Sequence, residues 1–372
     1  MHITAITAYR LDLPFRDGPY ICSGGLSALG FDSLVVRVDS DAGVTGWGEM
    51  APLGAFYDPA FPGGARAAFG ELAATLIGED PTQLVAVDRR MDHHMKGHPY
   101  AKSAINMACW DLLGKMADRS LAELLGGRFG SQVDLYRSVS QGAPEKMAAR
   151  AVAYVKEGYR RIQVKVGLDP DEDIQRVEEV RAAVGGDIVL FADANCGWST
   201  HQARRFLRAT RQLDYYFEQP CASYAECRAL RGDCYRPLVL DESIDGLPVL
   251  LQAHADGVVD AITIKIARVG GVTRAKLIRD VAVELGIAVT VEDTGGAEID
   301  TAAMIHLSLS TPEALRPHTC DFNNWVTRPN ARGVPPSADG KIGMNSAPGL
   351  GVEPLVESFG KPLLSVTARG NG

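Results

Sequence analysis

The sequence is poor in cysteine and has no long apolar run. Seven cysteines in 372 residues are too few for a disulfide scaffold, and their odd number predicts reduced thiols in a cytoplasmic protein. No run approaches the ~20 apolar residues of a membrane span. Residues 1–7 alternate like a strand and lack the pattern of a signal peptide. These absences predict a protein that neither spans nor binds a membrane.

Clustered positive charge is also lacking. The net charge is −8, and the lysines and arginines are scattered among the acids, which disfavours binding to nucleic acid. No Gly-x-Gly-x-x-Gly opens a helix after a strand, so a dinucleotide-binding fold has little support. The hydrophobic fraction of 46% and charged fraction of 23% are typical of a globular protein with a normal core. The length predicts one large domain plus a smaller one.

The pattern of strands and helices predicts three parts. Residues 1–125 read as an α+β domain, in which loops 18–25 and 51–64, rich in glycine, proline and aromatics, are expected to cover a site. Residues 126–345 alternate between strand and helix, which predicts a parallel barrel. Residues 346–372 read as an extended segment that returns to the first domain. The predicted barrel strands are 133–139, 161–166, 188–192, 215–218, 238–241, 261–265, 288–292 and, more weakly, 318–321.

Ionisable residues stand at the ends of five successive predicted strands. They are Lys165, Asp193, Glu218, Asp241 and Lys265, and neighbouring acids lie about one strand-plus-helix unit apart. In a parallel barrel, strand ends of this kind converge on one mouth. The sequence therefore predicts three carboxylates together, with a lysine on either side of them.

This combination suits a divalent cation and proton transfer. Three carboxylate oxygens match the preference of Mg²⁺, and without a cation their mutual repulsion is costly. Mg²⁺ can bind a substrate carboxylate and stabilise the enediolate that forms when the α-proton leaves. Lys165 and Lys265 are the candidate bases, and we expect their pKa to fall from about 10.4 towards neutrality. Two lysines on opposite faces of the substrate can invert its α-carbon.

The same residues resemble the enolase superfamily, specifically its muconate lactonizing enzyme subgroup. The resemblance rests on Lys165, Asp193-x-Asn195, Glu218-Gln219-Pro220, Asp241-Glu242-Ser243 and Lys265, and it covers nearly the whole chain. It implies a modified TIM barrel, (β/α)₇β, with an N-terminal α+β capping domain that the C-terminal tail completes. It also implies one Mg²⁺ per subunit on the three acids, acid/base roles for the two lysines, supporting roles for Asn195 and Glu242, lid loops that set specificity, and a homo-oligomer.

Departures from the common motifs of this subgroup narrow the choice of substrate. Gln163 stands where many members carry a lysine, and the segment Asp321-Phe322-Asn323 lacks the Asp-x-Asp that dipeptide epimerases use. With the loop around Phe56 and Tyr57, these features resemble members that act on proline betaines and hydroxyprolines. An ammonium group prefers aromatic faces, at about 0.5–2 kcal/mol each, and a nearby carboxylate. The predicted substrate-binding residues are Tyr20, Phe56, Tyr57, Asp293 and Trp325.

Four functions remain open at this point. The first is racemisation or 2-epimerisation of a proline-type amino acid or betaine. The second is dehydration of cis-3-hydroxy-L-proline, which shares its first step. The third is cycloisomerisation of a muconate, which does not need Asp293 or the aromatic set. The fourth is a non-catalytic metal-binding barrel, which the presence of both lysines disfavours.

Overall fold

The computed structural model describes residues 1–23 and 26–368. Gly24 and Gly25 of the first predicted lid loop, and residues 369–372 of the predicted C-terminal segment, lie outside the described residues. None of the described helices combines the length and the apolar character that crossing a bilayer requires.

Strands dominate both ends of the chain and alternate with helices between them. The strands are β1 (Ile3–Pro14), β2 (Tyr20–Ile21), β3 (Ser27–Ala28), β4 (Gly30–Ser40), β5 (Thr45–Met50), β6 (Gln132–Asp134), β7 (Tyr136–Val139), β8 (Arg161–Lys165), β9 (Val189–Asp193), β10 (Tyr216–Glu218), β11 (Leu238–Leu240), β12 (Ala261–Lys265), β13 (Ala288–Glu292), β14 (Ala331–Arg332), β15 (Lys341–Gly343), β16 (Glu353–Pro354) and β17 (Leu364–Thr367). The helices are α1 (Pro62–Ala73), α2 (Leu84–His94), α3 (Pro99–Ala117), α4 (Leu121–Leu124), α5 (Pro144–Lys156), α6 (Pro170–Val184), α7 (Thr200–Ala209), α8 (Tyr224–Ala229), α9 (Leu247–Ala255), α10 (Ile266–Val269), α11 (Val272–Glu284) and α12 (Glu298–Leu309).

The N-terminal part is an antiparallel sheet with a helix packed closely on it. The strand order is β17-β1-β4-β5. Helix α3 lies so near β5 that a Cβ atom at Gly46 would be 2.0 Å from the carbonyl oxygen of Ala108, and one at Gly48 would be 2.0 Å from that of Ala104. Both positions therefore need glycine. The described end of the predicted tail returns to this sheet, because β17 pairs antiparallel with β1.

The middle of the chain is a curled parallel sheet of consecutive strands, β7 to β13. The strands are buried on both faces, which is why they read in sequence as short apolar runs. Isolated parallel bridges from Thr319 to Leu135 and to Val291 join the two edges. The fold is a (β/α)₇β barrel with a separate N-terminal α+β unit, which confirms the predicted fold class. The predicted bounds of the three parts remain proposals.

Two predicted strands were wrong in detail. The run 133–139 divides at Leu135, so that β6 pairs antiparallel with β15 while β7 joins the barrel. The predicted strand 318–321 is reduced to the bridges of Thr319. In both cases the pairing depends on chain segments that are remote in sequence, which local patterning does not identify.

A buried carboxylate connects the N-terminal sheet to the barrel. Glu49, at the end of β5, accepts hydrogen bonds from the Ser33 hydroxyl at 2.7 Å, the Asn330 amide at 2.7 Å and the backbone N–H groups of Ala297 and Asp300. These two N–H groups belong to the beginning of α12. The contact places the N-terminal sheet beside the end of β13, where the barrel opens.

His306 in α12 makes a second connection, and this contact should make stability dependent on pH. Its Nδ1 accepts from the N–H of Ala122 at 3.2 Å, and its Nε2–H donates to the carbonyl of Leu350 at 3.1 Å. Burial lowers the pKa of His306 from 6.5 to about 4. The neutral ring therefore contributes fully above pH 6.5, and its contribution is lost as the pH falls from 6.5 towards 4.

We expect this single group to lower the free energy of unfolding by roughly 3 kcal/mol between pH 7 and pH 4. Urea unfolding of the wild type and of His306→Gln across this range is the measurement. The variant, which does not titrate there, should lose less stability on acidification. An identical loss in both proteins contradicts the assignment to His306.

Candidate active site

Charged side chains stand at the carboxyl ends of consecutive barrel strands. β8 ends at Lys165, β9 at Asp193, β10 at Glu218 and β12 at Lys265, and Asp241 directly follows β11. All five are buried. Parallel strands present their carboxyl ends at one mouth, so the structure brings the predicted metal-binding and acid/base side chains together.

Strand register pairs each lysine with a carboxylate. Lys165 lies opposite Asp193 across β8 and β9, and its Nζ donates to Asp193 Oδ2. Lys265 lies opposite Glu292 across β12 and β13, with 2.8 Å between Nζ and Oε2. Lys265 Nζ is also 3.5 Å from Asp241 Oδ2. Lys265 therefore faces two carboxylates, and Glu292 is outside the predicted metal-binding set.

These ion pairs raise the pKa of both lysines. Burial is the largest single influence on the pKa of Lys165 and lowers it, but Asp193, together with smaller contributions from groups such as Tyr20 and Glu218, raises the pKa well above its usual range. Burial likewise lowers the pKa of Lys265, and Asp241 and Glu292 together raise it. The expected fall of both pKa values rests on a cation beside these carboxylates, and it stays a prediction. Each lysine holds its proton as long as the charge of its carboxylate is not offset.

Glu218 lies between the other two acids and shows the effect of their repulsion. Burial, and then the charges of Asp193 and Asp241, raise its pKa well above the usual range. Its oxygens accept hydrogen bonds from Gln163 Nε2 at 2.9 Å and Thr263 Oγ1 at 3.2 Å. Gln163, the position that departs from the common lysine, thus supplies a neutral donor to Glu218.

Asp241 is held by an arginine and by the second predicted lid loop. Arg268 Nη1 donates to Asp241 Oδ1 at 2.6 Å, and the Tyr57 hydroxyl donates to Oδ2 at 2.9 Å. Arg268 Nε also donates to Asp58 Oδ1 at 2.7 Å. Loop 51–64 is therefore bound to the barrel mouth through Tyr57 and Asp58. Sequence reasoning missed Arg268, Asp58 and Glu292; Arg268 follows Lys265 closely, but that nearness does not reveal a partner so distant in the chain.

Removing Arg268 should destabilise the protein strongly. The variant Arg268→Met leaves Asp58 and Asp241 buried without their guanidinium partner, which costs about 3–5 kcal/mol. Urea unfolding measures this loss. The control is Arg205→Met, because Arg205 pairs with Asp171 in an ion pair whose side chains are 54% and 55% exposed, and such pairs contribute at most about 1 kcal/mol. Equal losses in the two variants contradict the buried-network interpretation.

Asn195 and Glu242 lie directly behind the carboxylates. The N–H of Asn195 donates to Asp193 Oδ1 at 2.8 Å, and its amide donates to Glu242 Oε1 at 3.0 Å. Asn195 adopts a φ of 40°, a left-handed conformation that asparagine tolerates better than most residues. Burial and the nearby charge of Asp241 raise the pKa of Glu242 to about 8. Asn195 thus orients Asp193, and Glu242 extends the acidic cluster.

The donor set fits Mg²⁺ even though its oxygens contact other partners. Within residues 1–23 and 26–368, no group of three or more Asp, Glu, His or Cys side chains is arranged to hold a metal ion as it stands. The reason is visible, since Asp193, Glu218 and Asp241 each direct an oxygen at a lysine, an arginine or an amide. Three buried carboxylates whose charges repel one another are the hard oxygen donors that Mg²⁺ prefers. These three side chains would hold it.

The cavity at the barrel mouth is small. Its volume, measured as the space open to the centre of a water molecule, is about 40 Å³, and Lys165, Lys265, Asp193 and Asp241 are among its lining residues. A single water needs ~10–15 Å³ by this measure. The cavity therefore has room for about three waters.

Four of the five predicted substrate-binding residues line this cavity: Tyr20, Tyr57, Asp293 and Trp325. Phe56 is 38% exposed, its ring lies against Gly54, and it is not among the lining residues. Asp293 accepts from the N–H groups of Ala267 and Thr294 at 3.0 and 2.7 Å. The aromatic rings are thus placed to cover a bound molecule, while Asp293 is held by backbone donors.

Known proteins resemble the whole chain. The family model of the mandelate racemase/muconate lactonizing enzyme N-terminal domain matches residues 27–126, and that of the enolase C-terminal domain-like unit matches residues 146–358. A cis-3-hydroxy-L-proline dehydratase of Roseibium aggregatum is 44% identical over 363 residues, which are 98% of this chain and 99% of the relative.

Two further relatives differ more. An N-succinyl-L-Arg/Lys racemase of Bacillus cereus is 30% identical over 316 residues, which are 83% of this chain and 85% of the relative. The crystal structure of a member of the enolase superfamily from Roseovarius nubinhibens ISM, complexed with magnesium, superimposes with a TM-score of 0.93. It is 38% identical, and the match covers 98% of this chain and 99% of that one.

Proposed function

The chain belongs to the mandelate racemase/muconate lactonizing enzyme family of the enolase superfamily, and we propose that it dehydrates a cis-3-hydroxyproline. It is an enzyme of the isomerase or lyase class, and its family acts on small-molecule carboxylates. The observation that carries the proposal is the 44% identity to a cis-3-hydroxy-L-proline dehydratase along the full length. Dehydration thus replaces racemisation as the preferred function.

The lining of the cavity supports an amino acid of this kind. Tyr20, Tyr57 and Trp325 would lie against the ring and its ammonium group, with about 0.5–2 kcal/mol for each cation–aromatic contact.

The positions of the two lysines support the cis isomer. In cis-3-hydroxyproline the hydroxyl lies on the same face of the ring as the carboxylate, so the α-hydrogen and the hydroxyl lie on opposite faces. Lys165 on β8 and Lys265 on β12 are separated by three strands, β9 to β11. Lys165 lies 6.0 Å from the ring centre of Tyr20, and Lys265 lies 5.5 Å from that of Tyr57. Two groups on opposite sides of the mouth suit removal of a proton and a hydroxyl from opposite faces.

The ion pairs assign a direction to the proton transfers. The carboxylate that faces Lys165 is Asp193, whereas Lys265 also faces Glu292. Mg²⁺ held by Asp193, Glu218 and Asp241 would supply positive charge beside the substrate carboxylate and offset the charge of those acids. With that charge offset, Lys165 would be free to stand as the neutral amine that a base must be, while Glu292 would still hold the proton on Lys265. Lys165 is therefore the proposed base and Lys265 the proposed acid.

The atoms and protons of the reaction balance with Lys165 and Lys265 as the proton-transfer groups. Lys165 Nζ accepts the α-proton, and the electrons of the broken C–H bond form a double bond between the α- and β-carbons. The β-carbon–oxygen bond breaks as Lys265 Nζ donates a proton to the hydroxyl, which leaves as water. The product is a cyclic enamine, which tautomerises to the imine.

The decisive test compares the two isomers of the substrate. With Mg²⁺ present, cis-3-hydroxy-L-proline should lose water, seen by mass spectrometry, at least about 100-fold faster than trans-3-hydroxy-L-proline. In the trans isomer the hydroxyl lies on the face of Lys165, which has to take the α-proton, and away from Lys265, the proposed donor to the leaving hydroxyl. Equal rates for the two isomers, or no loss of water from either, would overturn the proposal.

Racemisation of a proline or proline betaine is the second candidate. The specific observation in its favour is the pair of lysines on opposite sides, together with the similarity to an N-succinyl-L-Arg/Lys racemase. Polarimetry of L-proline and its N-methylated forms, and hydrogen exchange at the α-carbon in D₂O, separate the two activities. Loss of optical rotation faster than the dehydration of cis-3-hydroxy-L-proline would make racemisation the function.

A further inference from the structure

A second and larger cavity lies beside the barrel mouth. Its volume, in the same measure, is about 450 Å³, and it is bounded by residues 15–20, the end of β7 and helix α5. Tyr20 and Trp325 line both cavities, with 5.3 Å between their ring centres. These two rings therefore form a wall between the cavities, and none of the proposed metal-binding or acid/base side chains lines the larger one.

Three residues of the lining carry buried polar atoms that have no partner among residues 1–23 and 26–368. Gln141 is only 7% exposed, yet its Nε2 and Oε1 have no hydrogen-bond partner within the described residues. Arg137 Nε and Trp325 Nε1 also have no hydrogen-bond partner within the described residues. A buried polar atom left unpaired costs about 1–3 kcal/mol. These three donors and one acceptor lie just beneath the wall of one cavity, and a rotation of their side chains would present them to a bound polar molecule.

The charge of the lining favours an anion. Arg137, Lys146 and Arg150 contribute three positive groups. Asp17 is the one carboxylate of the lining, and it pairs with Arg150 at 2.7 Å. Asp321 lies behind Arg137 at 3.9 Å. Lys146, exposed on α5, makes no ion pair within the part of the chain that the structure describes, so its charge is available to a ligand.

The apolar part of the lining favours a flat molecule. Phe15, Tyr20, Tyr154 and Trp325 contribute aromatic rings. The guanidinium of Arg137 lies 5.6 Å from the ring centre of Tyr154 and 5.7 Å from that of Trp325. These contacts fix the guanidinium between aromatic faces, and they leave its Nε without a partner in the described chain.

We propose that this cavity is a second binding site, for a flat aromatic carboxylate that carries a hydroxyl or N–H group. The ring packs among the aromatic side chains, and the carboxylate lies near Lys146 and Arg137. The hydroxyl or N–H group donates to Gln141 Oε1 once the Gln141 amide turns towards the cavity. This site does not depend on the proposed dehydratase function, because Arg137, Gln141 and Lys146 do not line the smaller cavity; Tyr20 and Trp325 form the wall that the two cavities share.

Isothermal titration calorimetry of the full-length protein with 4-hydroxybenzoate tests the site. We expect a dissociation constant below about 1 mM. Two analogues each lack one feature: 4-hydroxybenzamide lacks the charge, and benzoate lacks the hydroxyl. Each should bind at least about tenfold more weakly, because a partner that remains unpaired in a buried site is costly. Absence of measurable binding, or equal affinity for all three compounds, overturns the proposal.

Variants separate a binding role from a structural one. Gln141→Leu should weaken 4-hydroxybenzoate at least about tenfold and should also raise the melting temperature of the free protein, since it removes two unpaired buried atoms. Lys146→Gln should weaken binding about threefold or more. The matched control is Lys156→Gln, because Lys156 lies on the same helix but does not line the cavity. The affinity of this variant for 4-hydroxybenzoate should stay within twofold of the wild-type value.

Two results would count against the site. A Gln141→Leu protein that melts lower and binds 4-hydroxybenzoate as tightly as the wild type would show that Gln141 is structural. A Lys265→Met protein that loses affinity would place the ligand in the smaller cavity, which Lys265 lines. Failure of this proposal leaves the dehydratase assay unaffected, and the reverse also holds, since the two experiments use different ligands and different variants.

Discussion

Replacing Lys165 with methionine is expected to lower kcat for dehydration by about 10³-fold or more, the upper part of the range for a general base. The variant should also stop exchange of the α-hydrogen in D₂O, because Lys165 is the proposed acceptor of that proton. Lys265→Met should lower dehydration similarly but should retain measurable α-hydrogen exchange, since the donor for the leaving hydroxyl acts after the α-proton has been taken. Mass spectrometry of substrate and product measures both effects.

The matched control for this experiment is Lys102→Met. Lys102 is as buried as the two candidate lysines and pairs with Asp92 at 3.0 Å, but it belongs to α3, away from the barrel mouth. The Lys102→Met substitution should lower stability and leave kcat within a few-fold of the wild-type value. If Lys265→Met alone stops exchange while Lys165→Met retains it, the roles of acid and base are reversed. If both variants keep full activity, neither lysine is catalytic.

Removing divalent metal is expected to have an effect of similar size. Treatment with EDTA should lower kcat/KM by about 10³-fold or more, and added Mg²⁺ should restore it. The physical reason is the charge of the three buried carboxylates: with no cation to offset it, Asp193 holds the proton on Lys165, and nothing stabilises the developing charge of the substrate.

Thermal unfolding provides a readout that is independent of activity. Mg²⁺ bound to the folded protein alone should raise the melting temperature in a concentration-dependent way, because it relieves the repulsion that raises the pKa of Glu218. Asp193→Asn should reduce this response. The control Asp171→Asn alters an exposed acid of α6 and should leave the rise of the melting temperature with Mg²⁺ unchanged. Full turnover in EDTA, with a melting temperature that Mg²⁺ does not move, would exclude the metal site.

The N-terminal part contributes to the site through contacts that cross the domains. Tyr57 and Asp58, in loop 51–64, bind Asp241 and Arg268 of the barrel. A change in loop 51–64 is therefore transmitted directly to a predicted metal ligand.

The barrel was predictable from sequence because its strands are buried on both faces. Six of the strands have an ionisable residue at their end or directly after it, where it interrupts an apolar run, and a parallel sheet forces all such ends to one side. The lysine and carboxylate positions therefore follow from strand ends alone. The predicted ligands of the metal, the roles of the lysines and the substrate-binding residues remain proposals that the experiments above address.

Arg268 and Asp58 were not predictable by the same reasoning. Their ion pair joins residues 210 positions apart, and neither residue lies at a strand end that patterning identifies. Glu292 ends a predicted strand, but only the register between β12 and β13 places it opposite Lys265. The division of 133–139 at Leu135 also depends on a distant partner, β15. Long-range pairing decides each of these features.

The sequence by itself determined the order of strands and helices and the residue types available at the barrel mouth, because burial and the parallel sheet are encoded locally in apolar runs and their ends. Only the tertiary structure decided which charges face each other. It set Glu292 beside Lys265 and Asp193 beside Lys165, and it opened a cavity beside Gln141. The physical reason is that pKa values and cavities depend on distances of a few ångströms between groups that are far apart along the chain.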